Sequence, residues 1–232
     1  MQLQIWSDYA CPYCYIGKRH LEEALAEFEH ADDVEVVFRT FELDRTASPQ
    51  VINTTQQRIE YKYRKNPESA REMINHIIAM GARAGLKMNY DTVRYTNTFD
   101  AHRLTHYAQV NGLAAEMSER LFRAYFTENR ELADQEVLLS IASDVGLNRS
   151  ETEATLKSGA FIKEAREEEA QAESRGIHGV PFFAFEDGTG LSGAQPKSVL
   201  LRALRDSWNS SQARPSANAP SCDNDTCDVP EK

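Results

Sequence analysis

Cys11-Pro12-Tyr13-Cys14 follows a short apolar run, Leu3, Ile5 and Trp6, and opens directly onto a helical pattern. Two cysteines three residues apart at the mouth of a helix share one face, at about the separation a disulfide requires. Such a pair opens and closes without refolding the chain. Proline is favoured at the first helical position, where its missing N–H costs nothing, so Cys11 is the expected N-cap. From there its sulfur can accept from the free amides at the helix start and lies at the positive end of the macrodipole. Both effects favour the thiolate, the form that attacks disulfides. Cys14, one turn inward, is the more shielded sulfur and suits resolution of a mixed disulfide on Cys11. A C-x-x-C motif beside a βα pattern reads as redox chemistry, with half of a zinc site or an incidental pair as the alternatives.

Outward from this stretch, the helix from Pro12 to about Glu29 carries Cys14, Gly17, Leu21, Leu25 and Phe28 on one stripe. Gly17 on that buried stripe points to a close approach by a neighbouring element, because glycine costs about 1 kcal/mol against alanine in a helix. Val34, Val36 and Phe38 then alternate through a second strand, making a β-α-β opening with parallel strands. No convincing strand is predicted between residues 50 and 175. Helical patterns begin after Asn66-Pro67 (Met73, Ile77, Met80), near Thr98 (Ala101, Leu104, Ala108) and at Leu113 (Met117, Leu121, Ala124, Tyr125). Others cover Asp134 to Val145, Arg149 to Leu156 and Phe161 to Arg175, where Glu167-Glu168-Glu169 is expected to be a solvated face. Strands return at Pro181 to Phe185, apolar on both faces, and after a turn at Glu186-Asp187-Gly188 at Thr189 to Leu191. A last amphipathic helix carries Val199, Leu200, Ala203, Leu204 and Trp208. From Asn209 the chain is rich in Ser, Ala, Pro and Asn and reads as a disordered tail.

With 26 Lys and Arg against 36 Asp and Glu, the 232-residue chain has a formal charge of −10. That argues against a nucleic-acid partner, which needs clustered cations. No segment approaches the roughly 20 apolar residues of a membrane span, and residues 1–6 show no signal-peptide pattern. The expected location is therefore the cytoplasm, where close cysteine pairs are reactive or metal-bound rather than structural. Residues 1–49 and 176–208 are expected to form one domain, 50–175 a helical insertion and 209–232 a flexible tail.

The βαβ, helical insert, ββα order with a helix-capping C-x-x-C in its first loop resembles the thioredoxin fold, an α/β architecture. With its large all-helical insertion it resembles the DsbA family of thiol–disulfide oxidoreductases, and within it the FrnE-like proteins. The residues that carry the likeness are Ser7-Asp8-Tyr9-Ala10-Cys11-Pro12-Tyr13-Cys14-Tyr15-Ile16-Gly17, Asn97-Thr98 with His102-Arg103-Leu104, and Gly179-Val180-Pro181-Phe182. The resemblance implies that Cys11 is the nucleophile and Cys14 the resolving thiol. It also implies that Pro181 follows a cis peptide bond in a loop facing the cysteines, where the Val180 backbone pairs with an extended substrate segment. Protein or small thiol and disulfide substrates follow, with no cofactor beyond the redox-active disulfide and glutathione as a candidate reductant.

Other residues receive plainer readings. Tyr13 is placed to tune the potential and to touch substrate. His102 and His106 share a helix face and are read as packing residues, His178 as a solvated loop residue, and Asp8 as a residue that caps or orients the loop before Cys11. No metal site is assigned. Cys222 and Cys227, in the tail, have no packing reason to be cysteine. They are expected to form a second redox pair, tethered by about fourteen residues that reach roughly 20 Å and exchange with Cys11–Cys14. An independent second pair and a metal-binding tail are the alternatives. Two rival functions are a glutathione-dependent isomerase or transferase of the kappa-like class, and a zinc module built from Cys11, Cys14, Cys222 and Cys227. The kappa-like class resembles serine at the catalytic position, which the intact cysteine pair argues against.

Overall fold

The computed structural model of the chain describes residues 1–213. Cys222 and Cys227 lie outside the described residues. Strand β1 (Gln2–Ser7) leads to helix α1 (Pro12–Leu25) and returns as β2 (Glu35–Thr40). Seven helices follow before the next strand: α2 (Thr55–Tyr63), α3 (Pro67–Arg83), α4 (Phe99–Val110), α5 (Ala114–Phe126), α6 (Gln135–Asp144), α7 (Arg149–Ser158) and α8 (Ile162–Ser174). The chain then forms β3 (Phe182–Phe185), β4 (Gly190–Ser192) and α9 (Lys197–Ala213). The last helix thus runs past Asn209, where the composition predicts the start of the tail, and residues 209–213 are helical.

The sheet has the order β2-β1-β3-β4, with β1 and β2 parallel and the other neighbours antiparallel. Ile5 of β1 sits level with Phe38 on one side and Phe183 on the other. Because strand side chains alternate, Leu3 and Ile5 meet Leu21 and Ala24 of α1, Phe28 in the turn after it, which ends α1 short of the expected Glu29, and Leu200 and Leu204 of α9, all buried. Trp6 points to the opposite face with Ala172 of α8 and Ile177, and its indole donates to the Glu168 carbonyl at 3.1 Å. β3 carries aromatic residues on both faces because it is central and covered on both. A further cluster joins Tyr9, Cys14, Tyr15 and Ile16 to Ile74 and Ile77 of α3, Leu104 of α4 and the Leu121–Phe126 face of α5.

The expectation of a solvated Glu167-Glu168-Glu169 face fails for a physical reason. Glu168 and Glu169 are buried, not solvated, while Glu167 stays exposed. Helix α8 crosses the end of β2, an edge strand whose amides lack a further strand to bond. Glu168 accepts from the Thr40 amide at 2.7 Å and from Arg39 at 2.8 Å, and lies 3.1 Å from His106. Glu169 accepts from the Glu42 amide and from Arg45 and pairs with Arg166, which also holds Glu42. Burial disfavours the Glu168 charge, but His106, Arg39 and the Thr40 amide outweigh it and hold the carboxyl at a pKa of about 2. Helix α2 is not among the helices read from the sequence, because only Thr55 and Ile59 are buried and it has no apolar stripe. Its signal is a capping box, in which the Thr54 side chain accepts from the Gln57 amide and the Gln57 side chain accepts from the Thr54 amide.

Candidate active site

The turn between β1 and α1 is fixed by one carboxylate. Asp8, 1 % exposed, accepts from the Ala10 amide at 3.0 Å and Thr98 Oγ1 at 2.9 Å through Oδ1, and from the Leu43 amide at 2.7 Å through Oδ2. His102 Nε2 stands 3.9 Å away. Burial pushes the Asp8 pKa up, yet His102 and the two amides prevail and it falls below its ordinary value. The Asp8 carbonyl in turn accepts from the Cys11 amide at 3.0 Å. Asp8 therefore joins β1, the segment after β2 and the start of α4 at the point where the cysteine loop begins. The neighbouring Tyr9 ring packs on His102 and Phe122, and its hydroxyl meets Thr105 Oγ1.

Cys11 is the N-cap of α1, with extended backbone (φ −94°, ψ 113°) and Pro12 behind it. Its sulfur makes no capping hydrogen bond, contrary to the sequence expectation. The Cys14 amide is already taken by the Cys11 carbonyl at 3.1 Å, and Pro12 has no amide to offer. Cys11 Sγ turns instead to the Val180 carbonyl, 3.5 Å away. The Val180–Pro181 peptide bond is cis. Gly17 permits this approach, since a Cβ there would lie 3.0 Å from Pro181 Cγ and 3.3 Å from Phe183 Cζ. The three sequence segments carrying Cys11, Thr98 and Pro181 thus converge on one loop cluster.

Both cysteines are free thiols, and they differ in setting. Cys14 is 2 % exposed and sealed in the apolar cluster. Burial drives its thiol well above the ordinary value, and the adjacent Cys11 sulfur adds to the rise. Cys11, 4 % exposed, is more enclosed than a surface thiol but borders a narrow cavity of about 40 Å³. Tyr13 lines the same cavity, half-buried, with its hydroxyl pKa raised by burial and by nearby Tyr63 and Cys11. The opposite wall comes from Arg58, Ile59, Lys62 and Tyr63 of α2, with Met73 and Ile77 of α3. These α2 residues are the functional wall that hydropathy patterning misses. His178 is exposed, and His102 and His106 are packed against Tyr9 and Phe161. Among the described residues no three His, Cys, Asp or Glu side chains come together as a metal-holding group.

An enclosed C-x-x-C at a helix start, facing a loop that ends in Val180-Pro181, agrees with the comparison to known families. Residues 2–205 match the DSBA-like thioredoxin domain. The chain belongs to the DSBA-like thioredoxin domain family. Among relatives of this DSBA-like chain, the uncharacterized protein YwbO of Bacillus subtilis (strain 168) is 29 % identical over 210 residues, which cover 89 % of this chain and 96 % of YwbO. The crystal structure of a probable DsbA oxidoreductase from Streptomyces coelicolor is 36 % identical, covers both chains fully and superposes with a TM-score of 0.88. The cytosolic disulfide reductase DsbM of Pseudomonas aeruginosa, crystallised with GSH, shares the fold at 18 % identity and a TM-score of 0.61, over 88 % of this chain and all of its own. No helix of the described residues is long and apolar enough to cross a membrane.

Proposed function

We propose that the protein is a thiol–disulfide oxidoreductase that works through a mixed disulfide on Cys11. The observation that carries this reading is the asymmetry of the pair. Cys11 borders a cavity beside the Val180 carbonyl, while Cys14 is sealed and its thiol held protonated by burial. In the reducing direction the Cys11 thiolate attacks one sulfur of a substrate disulfide. A Cys11–substrate S–S bond forms, the substrate bond breaks, and the departing thiolate takes a proton. Cys14 gives up its proton and attacks Cys11 Sγ, so that the substrate leaves as a second thiol and Cys11–Cys14 is the new disulfide. The oxidising direction is the reverse. An attacking group at the mouth and a resolving group behind it is the order this sequence needs.

The Val180 backbone, with Pro181 after it, supports an extended substrate segment next to Cys11, and Tyr13 lies at its edge. The FrnE-like subgroup and a cytoplasmic location belong to the same reading, as does reduction by glutathione or by another small thiol. Cys222 and Cys227 complete it as a tethered dithiol that exchanges with the Cys11–Cys14 pair. The test is a titration of the protein against glutathione redox buffers while insulin reduction and scrambled-disulfide repair are followed. Insulin reduction, with a potential set by the Cys11 pair, is expected, and 30 mV corresponds to about 1.4 kcal/mol of poise. A protein that exchanges with neither substrate at any poise contradicts the reading. Replacing Cys222 and Cys227 together by serine is expected to change turnover or the redox state of Cys11 under oxidant, and unchanged kinetics refute the tether.

A further inference from the structure

Beside the Cys11 cavity lies a much larger one, of about 890 Å³, bounded by the segment after β2 and by α2. The two cavities share Leu43, Arg58 and Lys62 as wall residues. Arg58 is the residue of interest. Its guanidinium stacks on the Tyr95 ring, 3.5 Å from the centroid, which fixes the fork in place. It forms no ion pair among the described residues, although most of the described arginines find a carboxylate. Burial weakens its charge, but the hydroxyls of Tyr125, Tyr90 and Tyr95 around it more than compensate and it stays cationic. Tyr125 Oη, buried beside it, helps to hold the guanidinium in place.

Lys62 and Arg64 add two more cations to the same cavity, and neither forms an ion pair among the described residues. The acidic side chains in the wall are Asp44 and Glu60, both already accepting local bonds, from Thr46 and from Gln56. With three cations, Arg58, Lys62 and Arg64, against the two carboxylates, the wall is net positive on a molecule whose formal charge is −10. Ile52, 71 % exposed, and Tyr61, 89 % exposed, line it, and Tyr63, 48 % exposed, lines the smaller cavity alongside. Apolar and aromatic rims flanking a fixed guanidinium suit a peptide with an acidic side chain better than a bare anion, because the rims cover the backbone and stems.

We propose that Arg58, assisted by Lys62, is a specificity-determining residue that holds an aspartate or glutamate close in sequence to the substrate's reacting cysteine. The inference rests on the oxidoreductase reading above. The substrate segment runs along Val180 with its cysteine at Cys11, and the acidic neighbour enters the larger cavity through the shared wall. An arginine suits this task because its planar fork donates two parallel hydrogen bonds to a carboxylate.

The experiment uses the full-length chain with Cys222 and Cys227 replaced by serine, so that Cys11 and Cys14 are its thiols, reduced, with two matched single-cysteine decapeptides carrying a 2-thiopyridine mixed disulfide. One peptide has glutamate on both sides of the cysteine, the other glutamine, and thiopyridone release reports attack. Rates are divided by those with dithiothreitol, which removes the intrinsic effect of the charges on the peptide sulfur. The glutamate peptide is expected to be preferred roughly fivefold in kcat/KM, the scale of one half-exposed ion pair. The preference should lie in KM and shrink with added salt. Arg58→Gln should bring the ratio to about one, Arg58→Lys should keep it between, and Lys62→Gln should lower it in part. A folding defect slows both peptides alike and leaves the ratio intact, so the ratio isolates the subsite. Equal rates for the two peptides with Arg58 in place, or an undiminished preference in Arg58→Gln, overturn the subsite alone. Failure of both peptides to react overturns the oxidoreductase reading and the subsite with it.

Discussion

Replacing Asp8 by asparagine removes a charge and one acceptor at the point where three segments meet. The carboxylate accepts three bonds, from the Ala10 and Leu43 amides and from Thr98 Oγ1. Asparagine keeps one oxygen. If that oxygen faces Ala10 and Thr98, the NH₂ group is driven against the Leu43 amide, a donor 2.7 Å from Oδ2 in the wild type. If it faces Leu43, the Ala10 amide is stranded. Either orientation loses one bond to a charged acceptor, worth about 1.5–3 kcal/mol, and leaves a buried amide unpaired. The expected loss at pH 7 is therefore about 2–3 kcal/mol. The pH dependence has a definite sign. The folded pKa lies below the unfolded value of 3.8, so the wild-type advantage is full above that value and is lost as pH falls through the folded pKa. Urea denaturation of wild type and Asp8→Asn from pH 7 down to pH 2.5 measures both. A difference under about 0.5 kcal/mol at pH 7, or a gap that persists unchanged into acid, would refute the assignment of the turn to this carboxylate.

Glu168→Gln is expected to cost about 3 kcal/mol at neutral pH, the value of moving a carboxyl from 4.5 to about 2. Because that pKa is depressed, the cost should vanish between pH 4.5 and 2 when unfolding is followed by tryptophan fluorescence. Gly17→Ala gains about 1 kcal/mol of helix propensity but sets its Cβ 3.0 Å from Pro181 Cγ. Overpacking of about 1–3 kcal/mol should win, giving a net loss near 1 kcal/mol and slower disulfide exchange; a more stable variant with unchanged exchange contradicts the packing argument. Thr54→Ala removes the capping box of α2 and should cost about 1 kcal/mol while loosening the wall over Cys11, which faster alkylation of Cys11 by iodoacetamide would register.

Most of the architecture was legible because it rests on local signals. The alternation of Leu3 and Ile5, the proline after Cys11 and the apolar run at Phe182 to Phe185 each report a short-range constraint. Gly17 was readable as a close contact because a glycine on a buried helical stripe has few other reasons to be there. The Glu167-Glu168-Glu169 run misled because charge runs are usually hydrated; nothing in the sequence announces that α8 crosses an edge strand whose amides require acceptors. Helix α2 was missed for the complementary reason. It buries almost nothing, so it has no apolar stripe, and its capping box at Thr54 and Gln57 was its one local mark. With α2 went Arg58, Ile59, Lys62 and Tyr63, one side of the cavity at Cys11. The Cys11 sulfur, finally, was expected to cap its helix, but the backbone of Cys11 itself satisfies the Cys14 amide. That contest between two acceptors of one residue is decided by geometry that spacing alone does not encode.

The proposed exchange divides its labour between two sulfurs. Peptide-mapped mass spectrometry of Cys14→Ser and Cys11→Ser variants, each with Cys222 and Cys227 also replaced by serine, after reaction with a disulfide substrate distinguishes their roles. A stable substrate adduct on Cys11 is expected in the first variant, and little or none on Cys14 in the second. Adducts of equal yield on both residues, or an adduct on Cys14 alone, would contradict it.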